Sequence, residues 1–159
     1  MKILGIDPGT GICGFGVIEI KNHSTPRMLD NGVIATPPHT PLPERLLDIY
    51  DSLHGIIKLN QPDVVSIEKL FFTKNITTGI SVAEARGVVL LVARQENLPI
   101  YEYTPNEIKK AMTGYGGADK KQMQEMVRLH LKLEKVPQPD DAADALAAAI
   151  THSLMKRDF

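Results

Sequence analysis

Ile3-Leu4-Gly5-Ile6-Asp7-Pro8-Gly9-Thr10-Gly11 sets an apolar run against an acid and a turn. Ile3 to Ile6 predicts a short buried strand. Pro8 and the glycines predict the tight turn that ends it, because proline cannot donate to a central ladder and glycine accepts turn dihedrals. Asp7 is thereby delivered to the carboxyl end of a strand, the edge of an open sheet at which ligands bind. An aspartate that only organises its own turn is the competing reading, since Asp-Pro-Gly is a frequent turn sequence.

Outward from this strand, Gly14 to Ile20 alternates like a second strand and Gly32 to Ala35 suggests a third, giving an antiparallel meander. The stretch Pro37 to Pro43 breaks the pattern. Leu46, Leu47, Tyr50, Leu53, Ile56 and Ile57 then recur at helical spacing as far as Asn60. Val64, Val65 and Ile67 read as a strand buried on both faces. Ile80 to Arg94 predicts a long helix whose apolar residues nearly encircle it, so it should be covered on more than one side. Ile100 to Thr104 predicts a fifth strand. Helices over Pro105 to Met112 and Asp119 to Leu133 flank a loop bearing Gly114, Gly116 and Gly117, and a last helix runs from Asp140 to Met155. The order βββαβαβααα predicts an α/β fold, a mixed five-stranded sheet flanked by helices on both faces. With 159 residues the chain has room for one domain, spanning 1–159.

The 43% hydrophobic and 23% charged composition excludes a disordered or low-complexity chain. A lone cysteine, Cys13, excludes a disulfide framework and suits a reducing cytoplasm. Asp7 interrupts the N-terminal apolar run early, and the longest later run, Val88 to Ala93, falls short of a membrane span, so neither a leader nor a membrane segment is expected. Net charge is −1, which alone argues against a nucleic-acid binder. Its distribution argues otherwise: residues 1–68 hold 5 basic and 8 acidic residues, 69–135 hold 11 and 7, and 136–159 hold 2 and 4. A basic middle between acidic ends fits either a solvated mixed surface or a binding face beside an acidic cluster.

Two further segments carry acids. Glu68 ends the strand Val64-Val65-Ser66-Ile67, and a carboxylate there either reaches water or is paired or metal-bound. Asp140, Asp141 and Asp144 open the last helix, beside small residues (Ala142, Ala143, Ala147, Ala148) that permit close approach to a sheet. Capping and the macrodipole account for acids in a first turn, but Asp144 lies late for that. Carboxylates at three element ends suit Mg²⁺ or Mn²⁺ rather than Zn²⁺, and the five histidines show no zinc spacing. With no phosphate-binding loop of the Gly-x-x-x-x-Gly-Lys type and no activated nucleophile, this chemistry points to water attacking a phosphodiester.

Along nearly its whole length the chain resembles the RuvC family of Holliday junction resolvases. The resemblance is carried by Gly5-Ile6-Asp7-Pro8-Gly9, Glu68 with Phe71, Lys74 and Asn75, Ala85-Arg86-Gly87 and Tyr103-Thr104-Pro105. It continues in Thr113-Gly114, Ala118-Asp119-Lys120-Lys121 and Asp141-Ala142-Ala143-Asp144-Ala145-Leu146-Ala147. It implies an RNase H-like fold, a cytoplasmic homodimer working with branch-migration proteins, and Mg²⁺-dependent nicking of four-way DNA junctions in recombination and repair, with two Mg²⁺ per subunit. Carried over by position, Asp7, Glu68, Asp141 and Asp144 correspond to catalytic, metal-binding acids. Phe71 corresponds to an aromatic at the junction point, and Lys109, Lys120 and Lys121 to backbone contacts. Lys74 and Arg86 extend the expected DNA track. This chain adds Asp140 beside Asp141, Phe72 beside Phe71 and Lys69 beside Glu68. Two other readings are a non-catalytic junction-binding module and, from the Asp-Pro-Gly-Thr turn, a relative of actin-like ATPases.

Overall fold

A computed structural model describes residues 1–22, 24–70 and 76–156. Phe71, Phe72 and Lys74, singled out above, lie outside the described residues. Five strands, β1 (Lys2–Asp7), β2 (Ile12–Glu19), β3 (Arg27–Ala35), β4 (Val64–Glu68) and β5 (Ile100–Tyr103), form a sheet of order β3-β2-β1-β4-β5. β1 pairs antiparallel with β2 and parallel with β4, so Asp7 and Glu68 leave the sheet at neighbouring carboxyl ends. The mixed sheet expected from the sequence is the one observed.

Helices α1 (Leu42–Asn60) and α2 (Ile76–Gln95) share one core with Leu4, Ile6, Val17, Val65 and Ile67. On the other face, α3 (Pro105–Thr113), α4 (Lys120–His130) and α5 (Asp140–Met155) enclose Ile3, Ile18, Val64 and Leu146. Alternation along each strand feeds the two cores in turn.

α5 crosses the sheet at close range. Its residues from Ala145 through Ser153 are buried without a break. Three glycines of β1 and β2 make the approach possible: a Cβ on Gly5 would collide with the Ala145 carbonyl oxygen, one on Gly14 with the Asp141 carbonyl oxygen, and one on Gly16 with the Leu146 side chain. The alanines of α5 were legible as the small half of this contact; the glycines opposite them complete it. Ser66 fixes the depth, its hydroxyl donating to the Ala148 carbonyl at 2.6 Å.

Several boundaries differ from the sequence expectations. β3 begins at Arg27, not Gly32, because an edge strand that is only half-buried shows no clean alternation. α1 starts at Leu42 and takes Pro43 into its first turn, where a missing N–H costs nothing. α4 begins after Asp119, whose carboxylate accepts the Gln122 N–H at 2.9 Å as an N-cap, and it ends at His130.

The fuller extent of α2 changes its reading. Over 20 residues it is long and apolar enough to cross a membrane, with a mean hydropathy of 1.5, because isolated polar residues interrupt the apolar runs without lowering the average. Within the chain it buries only Ala85, Val89, Val92 and Ala93, while Ile76, Ile80 and Leu91 are more than half exposed. Cover on several sides, expected from its composition, is therefore not supplied by the described residues of the chain.

Candidate active site

The edge where β1 and β4 end is lined by acids from three separate segments. Asp7 is the innermost. Burial first, then the charges of Asp144, Glu68 and Asp141, push its carboxyl up to about 7. Burial and Asp144 raise Glu68, against the lowering effect of Lys109. Asp144 is raised chiefly by burial, while Lys120 opposes the shift. Mutual repulsion of this kind marks a cluster with too little positive charge of its own.

Asp140 and Asp141 separate clearly. The Lys120 ammonium lies 3.0 Å from Asp140 and 3.8 Å from Asp144. Gln124 donates its side-chain amide to Asp140 at 2.9 Å. These partners hold Asp140 below the usual carboxylate range, Lys120 contributing most. Asp141, in contrast, acts on Asp7 and on Cys13. The charge of Asp141 is felt at Asp7, and Asp140 ties α5 to α4. Gln124 lies four residues beyond Lys120, one helical turn along the same face; that spacing was the available signal for it.

The turn after Asp7 is fixed from outside. Thr10, nearly buried, donates its hydroxyl to the Ser81 carbonyl at 2.6 Å, and Thr36 donates to the Thr10 carbonyl at 2.6 Å. Arg45 in turn donates to the Thr36 hydroxyl at 2.7 Å. A Thr10 hydroxyl occupied in this way is not presented to a nucleotide phosphate, which removes the observation behind the ATPase reading. Among the described residues no hydrogen bond reaches the Asp7 carboxylate, so it does not organise its own turn.

Two cavities flank the acids. One, of about 350 Å³, is lined by Glu68, Asp144, Lys109 and Lys120. The other, of about 230 Å³, is lined by Asp7, Glu68, Lys69 and Arg86. Arg86 is half-buried and paired with Glu102. Lys121 is exposed and faces a third cavity, next to Tyr115.

An all-oxygen, electron-rich donor set with raised carboxyl pKa values fits a hard divalent cation. Among the described residues no three acidic, histidine or cysteine side chains already converge on a single point. Cys13 is buried with its thiol pushed up to about 12, which leaves it an apolar core residue.

Fold and site together define an RNase H-like protein with acids gathered at one sheet edge. The family model "Crossover junction endodeoxyribonuclease RuvC" matches residues 3–152. A RuvC protein from Chloroflexus aggregans is 54% identical over 153 residues, covering 96% of this chain and 93% of the relative. The structure of T. thermophilus RuvC in complex with a Holliday junction substrate superposes with a TM-score of 0.93 at 36% identity, covering 99% of this chain and 95% of that one. The yeast mitochondrial resolvase Ydc2, at 14% identity and a TM-score of 0.70, shares the fold. The chain belongs to the RuvC family of crossover junction endodeoxyribonucleases. It is an enzyme, a DNA-binding endonuclease of the kind that serves recombination and repair, in a family of divalent-metal nucleases.

Proposed function

We propose that this protein resolves four-way (Holliday) DNA junctions by paired, symmetric nicks, with Asp7, Glu68, Asp141 and Asp144 as the metal-binding and catalytic acids. The observation that carries this reading is the convergence of those acids, from three segments, on one sheet edge with a carboxyl at Asp7 pushed to about 7. When bound there, two Mg²⁺ ions per subunit, or Mn²⁺ in their place, supply an activated water and a counter-charge for the leaving oxygen.

The chain's own residues hold the strand. Lys109 and Lys120 line the cavity shared by Glu68 and Asp144, where a phosphodiester oxygen would meet positive charge on both sides. Lys121, with Lys74, extends the phosphate track. Arg86 contributes through the opposite cavity while paired with Glu102. Phe71, three residues past Glu68, is assigned to the unstacked base at the crossover.

Two nicks on strands of like polarity call for a two-fold dimer with one acidic edge per subunit. The exposed apolar side of α2 supports that pairing. Residues 1–159 act as a single nuclease domain, in the cytoplasm, alongside branch-migration proteins of the same pathway. The deciding experiment is nicking of a synthetic mobile junction with Mg²⁺, with Ca²⁺ and with EDTA. Two symmetric nicks with Mg²⁺ alone are expected; binding without cleavage under every condition would leave only a junction-binding module.

A further inference from the structure

Beside the acid edge the chain carries a second surface that the cleavage chemistry does not use. Tyr115 sits in the Gly114-Tyr115-Gly116-Gly117 loop between α3 and α4, with 64% of its surface exposed. An exposed aromatic in a loop is not by itself a site, but this one is held in place. Gly114 has φ +73°, a left-handed conformation that turns the chain out of α3. Thr113 Oγ1 accepts the Tyr115 N–H at 3.0 Å and lies 2.8 Å from the carbonyl oxygens of Lys109 and Tyr115, between which its own hydrogen is shared. The phenol end of the ring lies directly over Gly117, where any side chain would collide with it. The ring is therefore backed by main chain on one side and open on the other.

Tyr115 also lines a largely apolar cavity of about 450 Å³, with Ala118, Lys121, Gln122, Glu125 and Met126. Ala118 also borders the cavity lined by Glu68, Asp144, Lys109 and Lys120, so the two cavities are neighbours on either side of one buried residue. Lys121 borders the cavity, and the one acid in its lining, Glu125, is occupied by a bidentate pair with Arg128, which leaves the Lys121 charge uncompensated there. An apolar cavity with an aromatic wall, bordered by Lys121 and neighbouring the cavity beside the acids, matches a flat base carried on a phosphate backbone.

We infer that Tyr115 is a positioning and specificity residue that stacks on one unpaired nucleobase of the DNA substrate, next to the phosphate being cut. The inference rests on the junction-cutting role proposed above. It adds a second base-binding aromatic to the one assigned to Phe71. A base held there fixes the register of the strand across Asp7 and Glu68, so the nucleotide sequence beside the nick is read through stacking strength.

The test is a protein–DNA double-mutant cycle. Wild type, Y115A and Y115F are bound, in Ca²⁺, to synthetic junctions in which each nucleotide flanking the nick is replaced in turn by an abasic site or by 2-aminopurine. Y115A is expected to bind the intact junction about 5- to 100-fold more weakly. At one abasic position, and there alone, wild type should lose as much and Y115A nothing further. The 2-aminopurine signal at that position should be quenched by wild type and by Y115F but not by Y115A, and only the ring-containing proteins should keep a sequence preference in cleavage. Equal affinity of Y115A and wild type, or losses that simply add at every position, would overturn the inference. Wild-type nicking of the same junctions is the separate control: its absence would bring down the functional reading, whereas nicking with an inert Y115A brings down this inference alone.

Discussion

The Lys120 ammonium lies between two carboxylates of α5, 3.0 Å from Asp140 and 3.8 Å from Asp144. A single lysine thus ties an outer acid, Asp140, to an acid of the sheet edge, Asp144.

This arrangement ranks two adjacent aspartates. Asp141→Asn should lower junction nicking by more than about 100-fold. Asp140→Asn removes only an outer partner that steadies Lys120 and Gln124, and should cost about 10-fold or less. Single-turnover cleavage at saturating Mg²⁺ separates them, and equal losses would place both residues on the metal.

Stability without metal should fall as pH rises. Unfolded Asp7 ionises near 3.8, whereas folded Asp7 holds its proton up to about 7. Between those values the folded state binds more protons, so raising the pH weakens folding, by at most about 1.4 kcal/mol per unit from this group. In EDTA the Tm should drop from pH 5 to pH 7.5, and Asp7→Asn should flatten that slope. Parallel slopes in the two proteins would assign the effect elsewhere.

Gly5→Ala and Gly14→Ala test the close crossing of α5. Each new methyl meets a backbone carbonyl oxygen of that helix, so a loss of about 1–3 kcal/mol is expected. Denaturant unfolding measures it. Cleavage should fall further than stability alone explains, because Asp141 and Asp144 ride on the displaced helix.

The apolar side of α2 gives a fourth prediction. Ile80→Glu should leave the monomer fold intact, since the residue is already half exposed, and should convert a dimer to a monomer in analytical ultracentrifugation. An unchanged dimer would move the pairing surface elsewhere.

The lysines give a fifth. Lys120→Ala and Lys121→Ala should each reduce the salt dependence of junction binding by about one unit of slope. Unchanged slopes would make them ordinary surface charges.

Asp7, Glu68 and Asp144 were legible in the sequence because each ends or opens an element whose apolar pattern is strong, and short connections leave such termini few places to go. The choice between Asp140 and Asp141 was not legible. Both fit a helix face shared with Asp144, and only the placement of α4, with Lys120 and Gln124, separates them. β3 hid its first half because Arg27 to Asn31 sits at an edge, where no two-sided burial enforces alternation. The one-sided cover of α2 was hidden for the opposite reason: an all-round apolar surface says that something covers it, not which chain does. Tyr115 was not singled out among the loop glycines, because its contact with Gly117 depends on the loop's path.

The glycine-lined crossing of α5, pinned by Ser66, bears on which molecule must bend. A helix with an unbroken buried run, seated against main chain and carrying two of the acids, is a stiff anvil that cannot travel toward a phosphate. The strand must come to it. Deforming continuous duplex that far works against stacking at every step, whereas a crossover has already given up part of its stacking. On the function proposed above, rigidity behind the acids would act as a filter for pliable DNA, selecting shape before any base is touched.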